Sequence, residues 1–485
     1  MKKTIKGLGY FSLFILIIGC FAYIQRFELT QIFLELPEYE YTDVEISSLK
    51  VPMRDGVELH TRVFMPKGPG PWPTVLIRDP YSFSQFYCQL LARYGYACVQ
   101  QDVRGRYESS DGYWYPVIHE RNDGLDTLEW LTQQSWQNDN IATYGSSYVG
   151  LVQWTMIDEM PKQVKTVIAD ISHGDWYDIV QKNGHFVQGV MSDWAMMLHN
   201  TESNLEDIAA HRPMVQSNAL FLNGKKQWFH DYLTNEDKTD EYWSADHYES
   251  ARNAHKKADM PVLMTGAWHD FFFDGQLKVF KELPLHDESL LVIRNGLHMS
   301  DSWASFQSVA HIQVTKSVQW LDRYLKGKEV SELPITGYLL QDNVNNDYQH
   351  MEVWPRQNSM KTFYLGELAE ALSCDGGSLL ATETLNSNSV SYIYNPQNPV
   401  PSRGGSNNFS QGVVDQGSDL CARSDVLSFE SEMLPKELTI SGSIEVKINA
   451  ASDAQDSAFT VKLQEKLVDG RVLNIRDDIT SLSFR

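Results

Sequence analysis

Basic residues are in short supply in this chain of 485 residues: 41 Lys and Arg stand against 63 Asp and Glu, a formal net charge of −22. Nucleic acids are bound through basic footprints, so this balance argues against them as partners, and the acidity reads as a solubilising surface. Cysteine is scarcer, with five residues, and no two have the spacing of metal ligands. Cys374 and Cys421 fall within one C-terminal stretch, where an oxidising compartment allows a bridge. The simpler expectation is that Cys88, Cys98, Cys374 and Cys421 are four separate thiols. Internal repeats and low-complexity tracts are lacking, so no solenoid or biased linker organises the chain.

What is present is globular. An apolar content of 42% with 12% aromatics suffices for a large core, and the length suggests roughly three domains. The start is a targeting or anchoring segment. Lys2, Lys3 and Lys6 precede an apolar run from Leu8 to Ile24, at the short end of the roughly 17–25 residues that cross a membrane. Ile17-Ile18-Gly19-Cys20 resembles a bacterial lipobox, which makes Cys20 a candidate lipidation residue. Signal anchor, lipoprotein signal and cleaved signal stay open. Each places the body outside the cytoplasm, and the first two tether it to a membrane.

Residues 27–43 read as an acidic, aromatic spacer. Val51 to Leu59 reads as two strands joined at Asp55-Gly56. Strand and helix then alternate: strands at Thr74–Arg78, Tyr96–Gln101, Ile141–Tyr144 and Val164–Ile171, helices at Gln85–Arg93 and Asn122–Gln134. Such alternation predicts a mostly parallel sheet with helices on both faces and a site beyond the carboxyl ends of its strands. The alternation stops over 172–259, which reads as a helical cap, and resumes with strands at Pro261–Thr265 and Ser289–Arg294 and a helix at Phe306–Lys326. Beyond it, runs such as Ile335–Leu340, Lys361–Leu365, Val390–Tyr394, Leu438–Ser441 and Phe459–Gln464 predict an all-β sandwich or jelly roll.

The chemistry gathers around Tyr144-Gly145-Ser146-Ser147-Tyr148-Val149-Gly150. Strand, tight turn and helix form the context that thrusts a nucleophilic serine out of an α/β sheet, and the flanking residues must be small. Ser147 is the nucleophile of this reading and Ser146 its rival. Acyl transfer also needs a base and a carboxylate to orient it. Asp270 follows a later strand and His298 the next, in the order Ser, Asp, His of α/β-hydrolases, with Asp274 and His269 as neighbouring rivals.

Several stretches carry a family resemblance. They are Val51-Pro52-Met53-Arg54-Asp55-Gly56, Arg78-Asp79-Pro80-Tyr81, Gln101-Asp102-Val103-Arg104-Gly105, the serine elbow, Gly266-Ala267-Trp268-His269-Asp270, Pro399 to Gly405 and Arg423 to Phe429. Together they resemble the cocaine esterase and Xaa-Pro dipeptidyl-peptidase family of serine hydrolases, which includes glutaryl-cephalosporin acylases and α-amino acid ester hydrolases. The resemblance implies Ser147 rather than Ser146 as nucleophile, a Tyr81 hydroxyl in the oxyanion hole, and the Tyr148 N–H as the second donor. The family's histidine usually follows Gly-Pro-Trp; here it follows Asn295-Gly296-Leu297. Family members usually run further past the stretch resembling Ser481 to Arg485, so the β module is expected to lack its last strands.

The expectation is an α/β-hydrolase core (44–171 and 260–331) with an inserted helical cap (172–259) and a C-terminal β jelly roll (332–485), behind the N-terminal segment (1–26) and the spacer. The expected activity is that of a serine esterase, acylase or peptidase acting on small esters, amides or short peptides, with no cofactor and no metal. Phe272 and Trp176 are candidate walls of the acyl pocket, and either also reads as an ordinary core aromatic. A dipeptidyl-peptidase cutting after proline is the alternative within enzymes. A non-catalytic, membrane-tethered carbohydrate-binding protein is the alternative outside them, and covalent labelling of a serine separates the two classes.

Overall fold

The computed structural model describes residues 25–484 apart from 110–111, 202, 300–302, 331–333, 335, 343–344, 356–359, 375, 384–388 and 407–411. Cys20 and the apolar N-terminal run lie outside the described residues.

β1 (Val44–Pro52) and β2 (Glu58–Pro66) are antiparallel and meet at the Asp55-Gly56 turn, where Gly56 takes φ 85°, a left-handed value that glycine adopts without strain. β3 (Trp72–Asp79) and β4 (Ala97–Asp102) are buried throughout, as apolar runs without alternation require. β5 (Gln137–Ser146) and β6 (Val164–Asp170) follow; β7 (Gln181–Lys182) and β8 (His185–Phe186) make a small separate hairpin. β9 (Val262–Ala267), β10 (Leu290–Arg294), β11 (Gly337–Gln341) and β12 (Tyr348–Met351) complete the main sheet. Its ten strands run β1-β2-β4-β3-β5-β6-β9-β10-β11-β12, parallel from β4 through β11 and antiparallel at both ends.

Helices Gln85–Arg93 and Trp303–Lys326 cover one face through Leu90, Leu91, Val314, Trp320 and Leu321. Helices Glu120–Thr132 and Phe273–Glu282 cover the other through Leu128, Leu131, Val279 and Phe280. Apart from the β7–β8 hairpin, the regular structure between β6 and β9 is helical, with Trp176–Val180, Gln188–His199, Gln227–Thr234 and Asp246–Asn253 packing Trp176, Trp228, Tyr232 and Tyr248 into a third core that also holds Tyr148. The fold is an α/β-hydrolase core with a helical cap and a C-terminal all-β domain. The described strands of that domain are the sheet β13 (Tyr364–Gly366), β14 (Gly377–Leu380) and β15 (Phe429–Glu430), and the hairpin β16 (Ala458–Lys466) with β17 (Val472–Ser481). β17 reaches back to the core, where Arg476 donates to the Trp268 carbonyl at 3.1 Å.

Four expectations are corrected. The spacer 27–43 is part of the core: Arg26–Phe33 is a helix, Phe27 is buried with its ring stacked on Phe86 at 5.0 Å, and Gln307 donates to the Phe33 carbonyl at 2.6 Å. Residues 337–351, assigned by sequence to the β module, are strands of the main sheet because β11 extends the parallel ladder beside β10. Val390–Tyr394 and Leu438–Ser441 are not strands; neither finds a partner ladder, and Ile393 and Ile440 are exposed. The four cysteines are two disulfides, Cys88–Cys98 and Cys374–Cys421. Helix Gln85–Arg93 lies on the face of β4 that carries Cys98, which brings the first pair to a Cα separation of 5.1 Å, a proximity that sequence spacing does not encode.

Candidate active site

β5 ends at Ser146, and the helix Tyr148–Trp154 starts two residues on. Ser147 is the corner between them, at φ 59° and ψ −128°, a strained backbone for a non-glycine residue. The corner is so tight that a Cβ at Gly145 would meet the Val149 carbonyl oxygen at 2.1 Å, and one at Gly150 the Ser172 Oγ at 2.3 Å. The Ser147 N–H donates to the Asp170 carbonyl at the end of β6 (3.0 Å), which fixes the corner to the sheet.

The loops after β9 and β10 bring the other two residues. Asp270 follows β9, and one of its carboxylate oxygens accepts the Phe272 N–H at 2.8 Å. His298 follows β10 past Gly296 at φ 108°, and the His269 N–H donates to the Gly296 carbonyl at 3.1 Å, tying the two loops together. His298 Nδ1 lies 3.1 Å from Asp270 Oδ2, and His298 Nε2 lies 2.9 Å from Ser147 Oγ. An ionised carboxylate only accepts, so Nδ1 is assigned the proton and Nε2 keeps a lone pair toward the serine hydroxyl. Phe271 and Phe272 stand 4.6 and 5.4 Å from the His298 ring, which is 7% exposed.

The rivals point elsewhere. Ser146 Oγ donates to Asp170 Oδ2 at 3.2 Å, Asp274 is paired with Arg476 and Lys182, and His269 packs against Gly412. A second Ser-His-Asp arrangement exists in the core sheet, with Ser48 Oγ 2.6 Å from His60 Nε2 and His60 Nδ1 3.3 Å from Asp102. It lacks the chemistry. Glu108 also sits 2.8 Å from that Nε2, holding it as a donor, and Ser48 lies mid-strand in an antiparallel ladder with no sharp turn to present it.

Tyr81 lies in the loop after β3. Asp79 fixes this loop by accepting the Tyr81 N–H at 2.7 Å and the Ser84 N–H and hydroxyl at 2.9 and 2.7 Å. The Tyr81 hydroxyl oxygen accepts from the Trp194 indole at 2.8 Å. Burial holds the Tyr81 phenol well above its ordinary value, so it keeps its proton. The Tyr148 N–H comes next after Ser147 in the chain, and its ring is anchored from below: the hydroxyl donates to Glu120 Oε1 at 3.1 Å and accepts from the Val117 N–H at 2.8 Å. Glu120 is itself paired with buried Arg78 at 3.0 Å. Phe272 is 2% exposed and Trp176 is 3% exposed. Phe272 packs on His298 and His173, and Trp176 donates to the Tyr232 hydroxyl at 2.6 Å, so both are core aromatics in this structure.

Sequence reasoning missed Trp194, Glu120 and Asp170. Trp194 is one of 13 tryptophans and nothing local marks it; Asp170 had a visible signal, an acid closing an apolar strand beside the one that leads into Ser147. The Asp170 carboxyl is fully buried and accepts from Thr265 at 2.9 Å and from Ser146. Burial pushes it up to about 6, against the opposing hydrogen bonds of Thr265, Tyr144 and Ser146 and the Arg294 charge. A raised carboxyl stabilises the fold fully below its unfolded value of 3.8, and that stability is lost as pH rises through about 6. The melting temperature of the parent is therefore expected to fall from pH 4 to pH 7 more steeply than that of Asp170→Asn; equal slopes in thermal scans would contradict this.

Among the described residues, no group of three or more His, Cys, Asp or Glu side chains is placed to hold a metal ion. Residues 55–300 match the X-Pro dipeptidyl-peptidase (S15 family) domain, and residues 328–485 the X-Pro dipeptidyl-peptidase C-terminal non-catalytic domain. Cocaine esterase from Rhodococcus sp. (strain MB1 Bresler) is 27% identical over 489 residues, covering 90% of this chain and 83% of its own. Two solved structures share the fold. An aminopeptidase from a marine sediment archaeon, Thaumarchaeota archaeon, has a TM-score of 0.68 at 20% identity, over 93% of this chain and 83% of its own. An α-amino acid ester hydrolase has a TM-score of 0.65 at 19% identity, over 92% and 83%. With the S15 domain match covering just over half of this chain and the C-terminal domain following in order, this chain belongs to the X-Pro dipeptidyl-peptidase (S15) family and is a hydrolase.

Proposed function

We propose that the chain is a serine hydrolase that cleaves an ester or amide bond through an acyl-enzyme on Ser147. Ser147 Oγ attacks the carbonyl carbon while its proton passes to His298 Nε2, and Asp270 holds the imidazole and stabilises its charged form. The former carbonyl oxygen, now negative, is held by the Tyr81 hydroxyl and the Tyr148 N–H. His298 returns the proton to the departing alcohol or amine. It then takes a proton from water, which attacks the acyl carbon, and gives that proton to Ser147 Oγ as the acid leaves. The observation that carries this reading is the unbroken chain Ser147–His298–Asp270 at 2.9 and 3.1 Å on a strained elbow.

Cleavage of a dipeptide after proline is the second reading, favoured by the S15 domain match. A panel of short-chain nitrophenyl esters, aryl amides and Xaa-Pro nitroanilides tests both. Turnover of at least one class, abolished by a serine-directed phosphonate, supports the proposal. A folded protein inert to the panel and to the phosphonate contradicts it and favours the binding-protein alternative.

The proposal extends to location: the catalytic body lies outside the cytoplasm, tethered through the N-terminal segment. Lys2, Lys3 and Lys6 before the apolar run support it, as do the two disulfides, which form and persist in oxidising compartments. No helix among the described residues is long and apolar enough to cross a membrane. The full chain is expected in the membrane fraction and a chain beginning at Gln25, which keeps the core helix Arg26–Phe33, in the soluble one. Acylated Cys20 in the N-terminal peptide would mean a lipoprotein, an intact stretch from Met1 to Arg26 a signal anchor. Uncleaved full-length chain found wholly in the soluble fraction would contradict the tether.

A further inference from the structure

We infer that Trp194, carried by the cap, is a positioning residue for the oxyanion hole: its indole N–H fixes the direction in which the Tyr81 hydroxyl donates. The inference rests on the reading of Tyr81 given above. An indole N–H is a donor only, so in the 2.8 Å bond from Trp194 Nε1 the Tyr81 oxygen is the acceptor. A phenolic O–H lies close to the plane of its ring and has two in-plane directions. A donor seated on one side of the oxygen leaves the other side for the proton. The bond also polarises the hydroxyl, making it a stronger donor in a site shielded from water.

The same tryptophan touches the second donor residue. Its ring lies 5.6 Å from the Tyr148 ring, tilted by 30°, and it is wedged among Trp114, Trp176 and Trp228 at 5.4–5.8 Å. Tyr81 comes from the loop after β3, Tyr148 from the elbow and Trp194 from helix Gln188–His199, so the two donors of the sheet are held in mutual register by one side chain of the cap. The cap therefore contributes to the rate of the chemical step as well as enclosing the site, and a cap shifted off the sheet leaves Tyr81 with an undirected hydroxyl.

A double-mutant cycle on the full chain tests this. The rates are kcat for a short-chain nitrophenyl ester, normalised by active-site titration with a fluorophosphonate so that only folded, competent enzyme is counted. Trp194→Phe removes the N–H and keeps an aromatic ring; kcat is expected to fall about 3–10-fold, the rate equivalent of one neutral hydrogen bond. In the Tyr81→Phe background there is no hydroxyl to orient, so adding Trp194→Phe is expected to change kcat by less than about twofold. Losses that multiply would mean that Trp194 acts through packing, and an unchanged kcat in Trp194→Phe alone would mean that the bond does not matter; either overturns the inference and leaves the role of Tyr81 intact. A normal kcat in Tyr81→Phe alone would instead remove the reading on which the inference stands.

Discussion

Ser147→Ala is expected to abolish hydrolysis of a short-chain nitrophenyl ester, with kcat lower by about 10⁴–10⁶-fold and the melting temperature close to that of the parent. The loss is large because the three residues act as a unit. Without Oγ there is no atom to form the acyl-enzyme, and the His298 lone pair has nothing to deprotonate. The fold is spared because the corner is held by backbone bonds, from Ser147 N–H to Asp170 and from Leu151 N–H to the Ser147 carbonyl at 2.8 Å, which alanine keeps. Ser146→Ala is the paired control. It removes a hydroxyl that faces Asp170 rather than His298, so activity is expected to stay within about tenfold of the parent, the cost of one hydrogen bond beside the elbow. Reversed outcomes in steady-state kinetics would mean that the register of the elbow is off by one residue.

Tyr81→Phe carries the second-largest expected effect. A tetrahedral intermediate places charge on the former carbonyl oxygen, and a donor aimed at that position acts mainly in the transition state. Its removal lowers kcat more than it raises KM. The loss of one such donor costs about 10²–10³-fold in kcat, or about 2.7–4 kcal/mol. Phenylalanine keeps the ring, which stacks on Phe83 with centroids 5.8 Å apart, so the stability cost is expected to be limited to the lost hydrogen bond from Trp194, about 1–3 kcal/mol. A purely structural Tyr81 would give the opposite pattern, a near-normal kcat in Tyr81→Phe and damage only in Tyr81→Ala. Steady-state kinetics with a melting curve alongside separates the two, and a kcat within a few-fold of the parent would take Tyr81 out of the oxyanion hole.

The parts of the site that the sequence disclosed are those fixed by local chemistry. Ser147, Asp270 and His298 each follow a short apolar strand, and a parallel sheet gathers the ends of such strands on one edge, so chain order alone implied their meeting. Gly145 and Gly150 announced the tight corner because no other residue fits it. The parts that stayed hidden depend on which surfaces meet in space. Trp194 reaches Tyr81 across 113 residues. Phe27 reads as part of an acidic, aromatic spacer until Phe86 and the Arg93 guanidinium, 3.5 Å from its ring centroid, are placed around it. Cys88 and Cys98 are ten residues apart on a helix and a strand, and only the packing of one on the other turns two thiols into a bridge. The β11 strand was legible as a strand but not as a neighbour of β10, because an apolar run does not say which ladder it joins.

The central claim, that Ser147 is the acyl-accepting nucleophile, is tested most directly by labelling the folded full chain with a fluorophosphonate and locating the adduct by peptide mass mapping. One adduct per chain is predicted, on Ser147, formed in competition with ester substrate and lost in His298→Ala, because the hydroxyl 2.9 Å from Nε2 then has no base. An adduct on Ser146, on Ser48 or on no serine at all in protein shown to be folded would contradict the account.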